Sequence, residues 1–248
     1  RKWGQKRPLP KNKGKVISFR RWGVLAPATT PLTEGITPTG SSLDYETITA
    51  TVQQYGDWIP LTDQVQDLAI DAVLTQVVQQ LGEQQGETLA ILARNQMVAG
   101  VNVSYANKVT SRSEVVARVS ADDYDRIILK LKMKLAKRHT EIILPTVKIA
   151  TEPIRAAYIA IISPYTTVEL ERQLGNGYVP VANYASGVGV MEGEVGSYKE
   201  IRFIETTHAM VYEDAGGDVT DGCKSTSGTK TDVYADLIFG KEAYGETM

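Results

Sequence analysis

The sequence holds one cysteine, Cys223, and two histidines, so it can form neither an internal disulfide framework nor a zinc site made only of Cys and His. No apolar run approaches the roughly 18 residues that a membrane span requires. The start as given has none of the features expected of a signal peptide. It starts at Arg1 rather than Met, as an incomplete or processed chain would. GxxxxGKS/T, GxSxG and HExxH are all missing, which removes the P-loop, the hydrolase elbow and the metalloprotease helix. Gly187, Gly189 and Gly193 approach a dinucleotide fingerprint, but Glu192 stands where the third glycine belongs and no helix clearly follows. Asp214, Asp218 and Asp221 miss the EF-hand spacing and lack its bidentate Glu, so they read as a solvated loop. Acid is missing from residues 1 to 33, which carry nine Lys or Arg including Lys13, Lys15, Arg20 and Arg21. The remainder holds 18 basic against 29 acidic groups, and a basic arm on an acidic body suits pairing between copies or contact with nucleic acid. A solvated basic tail is the plain alternative.

At 248 residues the chain can bury the core of one large or two modest domains. Its organising stretch runs from Ile36 to about Val98. Residues 15 to 25 (KVISFRRWGVL) and 47 to 61, which end in Tyr55, Trp58 and Ile59, have strand composition and predict the two halves of a long hairpin. About 20 residues rich in Pro, Thr and Gly join them, far more than a tight turn needs. Few apolar residues share one face, so this arm is expected to lie on something else. A helix follows from Asp63, with Gln66 at the capping-box spacing. Ile70, Leu74, Val77, Val78 and Leu81 recur at helical steps, and Leu89 and Leu92 resume the pattern. Gly82 and Gly86 share one face and let another backbone approach. Unbroken, this spine would reach about 50 Å.

Residues 101 to 119 are expected to give one or two short strands. Ser120 caps a helix with Asp122 and Asp123 in its first turn, a stripe of Tyr124, Ile127, Ile128, Leu131 and Leu135, and Lys137, Arg138 and His139 in its last turn. Residues 141 to 150 are extended, with Pro145 disfavouring a central strand. The apolar run 156 to 163 predicts a buried strand. Pro164 starts a helix that Gly175 closes. A loop to Gly196, one long strand across 200 to 214, a flexible loop and a last strand over 233 to 244 complete an α+β order. His139 and His208 lie far apart, in a helix end and a strand, and nothing local activates Cys223. Trp3, Trp22 and Trp58 are read as anchors in a neighbouring subunit ahead of base-stacking platforms.

The run GKVISFRRWGVLAPATTPLTEGITPTGSSLDYETITATVQQYGDWIPLTD, with LGEQQGETLAILARNQMVAGVNVSYAN behind it, resembles the major capsid proteins of tailed bacteriophages in the phage N-four-like family. The similarity extends more loosely through SADDYDRIILKLKMKLAK, YIAIISPYTTVELE, GEVGSYKEIRFIET and LIFGKEAYGE. It implies the Hong Kong 97-type capsid fold, an α+β architecture. In its terms, residues 1–13 are an N-arm remnant and 14–62 the extended β-hairpin loop. Residues 63–119 are the peripheral domain with its spine helix, 120–200 the axial domain, and 201–248 strands returning toward the peripheral domain. Members of that family begin earlier and continue past GKEAYGE with a DPLGQ element absent here, so ends that are disordered, cleaved or truncated are expected.

The resemblance implies a structural, non-enzymatic protein with no cofactor and no metal. Its copies would form hexamers and pentamers closing into an icosahedral shell around double-stranded DNA in the virion, assembled in the host bacterial cytoplasm, with portal, scaffold and decoration proteins as partners and no membrane. Arg20, Arg21, Trp22, Glu34, Trp58, Ile59, Glu83 and Glu87 are the expected inter-subunit contacts, the arginines meeting acid on a neighbour's spine helix. An encapsulin-type nanocompartment shell would share the fold. A DNA-binding protein would use the basic arm. A hydrolase using His208 or Cys223 would need a buried pocket that joins them.

Overall fold

The computed structural model describes residues 3–12, 14–68, 71–144, 150–184, 189–220 and 223–247. Arg1, Lys2, Lys13, Ile70, Pro145, Gly187 and Asp221, and the side chain of Gln66, lie outside the described residues. Period-two alternation of β-branched and aromatic residues produces the first elements. After β1 (Gln5–Arg7) come β2 (Val16–Trp22) and β3 (Tyr45–Thr51), paired antiparallel from Val16 opposite Thr51 to Trp22 opposite Tyr45. The second strand stops at Thr51, short of Tyr55, Trp58 and Ile59.

The spine is two helices, α1 (Asp63–Leu68) and α2 (Val73–Val98). Ala72 has φ −72° and ψ 72°, and the Val73 amide donates to Asp71 O at 2.8 Å. That inverse γ-turn replaces the i−4 bond a continuous helix needs. The 26 residues of α2 span about 39 Å. Residues 101–119 form 3₁₀ turns at Ala106–Lys108 and Arg112–Glu114 instead of strands. The Ser120 cap is present on α3 (Ala121–Met133), where its hydroxyl accepts from the Asp123 amide. This helix ends earlier than the charge pattern predicts. Leu135 takes a left-handed φ of 53° and the Ala136 amide donates back to Leu131 O, a Schellman-type stop that places Lys137 and Arg138 beyond the last turn. His139 consequently begins a strand, β4 (His139–Leu144).

β5 (Ala150–Ile162) contains the predicted apolar run and leads to α4 (Pro164–Leu174), with Pro164 at its first position, the Ser163 hydroxyl as its cap and Gly175 (φ 51°) as its stop. The expected loop after Gly175 contains β6 (Tyr178–Pro180) and ends at β7 (Glu194–Tyr198). The long strand expected across 200 to 214 is two, β8 (Ile201–Glu205) and β9 (Met210–Tyr212), with His208 in the turn between them. The last predicted strand likewise divides into β10 (Val233–Ala235) and β11 (Leu237–Phe239), because Asp236 turns inward between them. β12 (Gly245–Thr247) follows.

One compact unit comprises Gln5–Gly56 and Gly245–Met248. In it β1 pairs parallel with β12, the Arg7 guanidinium donates to Ser18 O, and Gly245 lies so close to the Phe19 ring that a Cβ there would meet it at 2.7 Å. The other unit, Arg1–Gly4 and Asp57–Tyr244, holds the main core. Its sheet runs β11-β5-β8-β7-β6, with β4 also on β5 and only β5–β8 parallel. On one face Tyr158, Ala160, Ile162, Ile201 and Phe203 bury against Tyr124 and Ile128 of α3 and Leu170 and Leu174 of α4. On the other, Ile159, Ile204, Met191 and Phe239 pack with Trp3 and Tyr244.

Candidate inter-subunit surfaces

Pairing register decides which side chains of the hairpin share a face. Ile17 and Phe19 lie with Ala50 and Ile48 on one side, and Ile17 is buried. Val16, Arg20 and Trp22 lie with Thr51, Thr47 and Tyr45 on the other. There the Trp22 and Tyr45 rings are 5.3 Å apart, Arg20 sits 5.3 Å over the Tyr45 ring, and both rings remain 54% exposed. Arg21 stands opposite Glu46. The Gly23 amide closes the hairpin onto Asp44 O at 2.9 Å. Beyond that bond, Val24, Leu25, Leu32, Ile36 and Leu43 are all exposed, and a turn from Thr33 to Ile36 with Gly35 at φ 79° presents Glu34 at the tip. Five large apolar side chains in water and no core beneath them are the mark of a surface made to be covered.

The second surface is α2 and the segment before it. Trp58 is 76% exposed and Ile59 is exposed beside it. Their backbone is tied to α2 through Asp57, whose carboxylate receives the Gln84 side-chain amide at 2.9 Å and the Trp58 amide at 2.8 Å. Those two donors, Gln84 first, hold the Asp57 carboxyl below its usual range. No residue of α2 is buried; Leu74 and Val78 are exposed on one side, and a Cβ at Gly82 or Gly86 would meet nothing within 4 Å. Glu83 accepts from Gln79, while Glu87 lies 3.7 Å from His208 Nδ1 and Arg94 donates to His208 O at 2.8 Å. The His208 partnership of Glu87 is invisible in sequence because 121 positions separate the two. From Trp22 to Ala93 the chain carries nine Asp or Glu and no Lys or Arg, so arm tip and spine form one uniformly acidic stretch behind a uniformly basic one.

The remaining candidates resolve into structural roles. Trp3 packs on Phe239 with ring centroids 5.9 Å apart, inside the chain's own core, so it is no anchor for a neighbour. His139 is buried with its ring edge-on to Phe239, and desolvation pulls its pKa below the usual imidazole value. His208 faces Glu87, whereas the Cys223 thiol meets Val116 O at 3.2 Å; no bond among the described residues joins the two. Carboxylates tie down the described residues of the segment expected to be a flexible loop. Asp214 accepts from Ser225 and Ser227, and Asp232 accepts from Thr226 and the Asp214 amide. No cluster of three or more His, Cys, Asp or Glu suited to a metal occurs among the described residues, and no helix there is long and apolar enough to cross a membrane.

Two buried polar devices hold the body together. Arg202 and Glu194 pair twice at 2.6 Å with side chains 5% and 0% exposed; Glu194 also accepts from the Tyr184 hydroxyl and the Met191 amide. Desolvation, with the adjacent Glu194 carboxylate, pushes the Tyr184 hydroxyl up to about 12. Asp236, half-buried as a residue, turns its carboxyl inward to receive the Tyr124 hydroxyl at 3.0 Å and the Thr166 hydroxyl at 3.3 Å, joining α3 to α4. Desolvation raises that carboxyl to about 6 against both hydrogen bonds.

No curated protein sequence matches the chain. Among solved structures it is similar to the capsid of Ralstonia phage GP4, with a TM-score of 0.70 and 12% identity over 98% of this chain and 73% of that one. The capsid of cyanophage P-SCSP1u matches with a TM-score of 0.59 and 14% identity, over 98% and 72% of the two chains. A chain of the bacteriophage PhiM1 mature capsid matches with a TM-score of 0.50 and 11% identity, over 100% and 86%. These likenesses establish a phage-capsid fold of the Hong Kong 97 type. Residues 45–233 match the phage capsid protein family, and the chain belongs to it.

Proposed function

We propose that this capsid shell protein assembles as hexamers and pentamers into the icosahedral shell around the double-stranded DNA of a tailed bacteriophage, acting through contacts and without turnover. The observation that carries this is the apolar surface left uncovered in one copy, on an arm with almost no core and on a helix with no buried residue. In this reading residues 14–62 form the extended loop, laid over the adjacent subunit after an N-arm remnant at 1–13. Residues 63–119 serve as peripheral domain, 120–200 as axial domain and 201–248 as the return. Arg20 and Arg21 meet acid of the neighbour's spine, with Glu83 and Glu87 in reach, while Trp22, Trp58 and Ile59 supply the buried area. Membership of the phage capsid family favours a virus shell over a nanocompartment, and portal, scaffold and decoration proteins are partners this role calls for.

Covering the exposed part of each indole removes roughly 130–190 Å² from water, about 3–5 kcal/mol per ring at 25 cal/mol per Å². Isolated surface ion pairs add only about 0–1 kcal/mol each. Electron microscopy of the protein expressed alone is expected to show closed shells or five- and six-membered rings. W22A and W58A should keep the subunit's circular dichroism and lose those particles. A subunit that stays monomeric as concentration rises, with both variants indistinguishable from it, would sink the reading.

A further inference from the structure

The acidic arm tip needs a landing place of opposite character, and the end of α3 has it. Leu129 and Met133 stand one turn apart at the centre of the helix's solvent face, 59% and 77% exposed. Leu135 follows at 77% exposure in the left-handed region, where a bulky side chain costs roughly 1–2 kcal/mol relative to a right-handed turn. Glycine would relieve that strain at a helix stop. A leucine held there and pointed into water signals a contact absent from the single chain.

Basic charge predominates at the end of this knob, and Asp125, one turn before Leu129, is paired with Lys199 at 2.6 Å. Residues 130–138 include Lys130, Lys132, Lys134, Lys137 and Arg138 and no acid. Lys132 and Arg138 meet Glu200, whereas among the described residues Lys130 and Lys134 meet neutral oxygens, of Ser104 at 2.7 Å and Asn102 at 3.1 Å. Phosphate is the poorer partner for such a patch, since the helix's carbonyl end carries negative partial charge and the knob's centre is apolar. A protein segment that combines leucine-sized side chains with carboxylates and no lysine fits both properties. The arm tip is such a segment: Leu32, Ile36 and Leu43 are exposed beside Glu34 and Asp44.

Resting on the shell reading above, we propose that the α3-end knob of one copy receives the arm tip of a second copy. From Trp22 to Glu34 the chain can extend up to about 40 Å, long enough to reach past an adjacent subunit's edge. The test places the photo-crosslinker benzoylphenylalanine at Met133 and assembles equal amounts of light and nitrogen-15-labelled protein. Cross-links from position 133 to peptides within 22–46, in mixed-isotope pairs, are the expected result. If shells form but the cross-links are intrachain, fall elsewhere or do not appear, the proposal is overturned while the shell reading stands. If the unmodified protein forms no particles, it is the shell reading that fails. As a second measurement, K130E/K134E should lower particle yield several-fold and E34K/D44K in the same chain should restore it; absence of rescue counts against this docking.

Discussion

Replacing Glu194 by Leu would strand the Arg202 guanidinium in a place it cannot leave. The two side chains are 0% and 5% exposed, and the carboxylate answers four donors: two from Arg202, the Tyr184 hydroxyl and the Met191 amide. Removing one partner of a buried ion pair costs about 3–5 kcal/mol, and the two donors lost besides Arg202 add about 1 kcal/mol each. That sum is comparable to half of an ordinary domain's stability of about 5–15 kcal/mol. Arg202→Met is milder, about 3 kcal/mol, since Tyr184 and Met191 still serve the carboxylate. The double variant E194L/R202M buries no charge, and its cost should fall to about 2 kcal/mol, left by the orphaned hydroxyl and amide. The cycle thus predicts a coupling of several kcal/mol, read from urea unfolding of unassembled subunits followed by tryptophan fluorescence. Additive single variants, or singles each below about 1 kcal/mol, would refute the account of a pair whose partners depend on each other.

Asp236→Asn should flatten one limb of the stability–pH curve. The folded carboxyl titrates near 6 and the unfolded one near 3.8, so the folded state takes up its proton first and stability from this group rises as pH falls from about 7 to 4. At neutral pH the ionised group costs about 3 kcal/mol, and unfolding of the variant compared with the parent across that window tests it; identical slopes would contradict the burial argument. Gly82→Ala and Gly86→Ala meet open space within the chain, so each should leave the subunit as stable or raise it by about 1 kcal/mol. Assembly yield separates the cases, for a loss there with an intact subunit reports a neighbour's backbone against α2, and unchanged yield excludes one.

Local chemistry made much of this fold readable. The Ser120 cap, the Pro164 start with its Gly175 stop, the apolar run in β5 and the hairpin's two halves are all signals spelled within a dozen residues. What misled were stretches where composition runs on after geometry has turned. Ala72 is a good helix former at a γ-turn, Leu135 sits where glycine would announce a stop, and Ile204 and Val211 belong to different sheets although the sequence between them alternates like one strand. The candidate surface was legible as exposed aromatic and charged residues on a coreless arm. Its internal ties were not, because Glu87–His208 and Asp57–Gln84 join residues distant in the chain. Trp3 fell to the core for the same reason: only tertiary structure brings Phe239 beneath it.

The arm tip's lack of a core has a kinetic side. A segment from Val24 to Leu43 that covers nothing at home gains its ordering energy only on docking, and fixing each residue costs about 1–2 kcal/mol of entropy. In the proposed shell any one docking is therefore weak and quickly undone. Misplaced subunits can leave, and a subunit gripped on several sides at once, as in a ring that has closed, is held by the product of many small preferences. On the proposed reading, proofreading of the shell's geometry is in this sense carried by the least self-sufficient twenty residues of the chain.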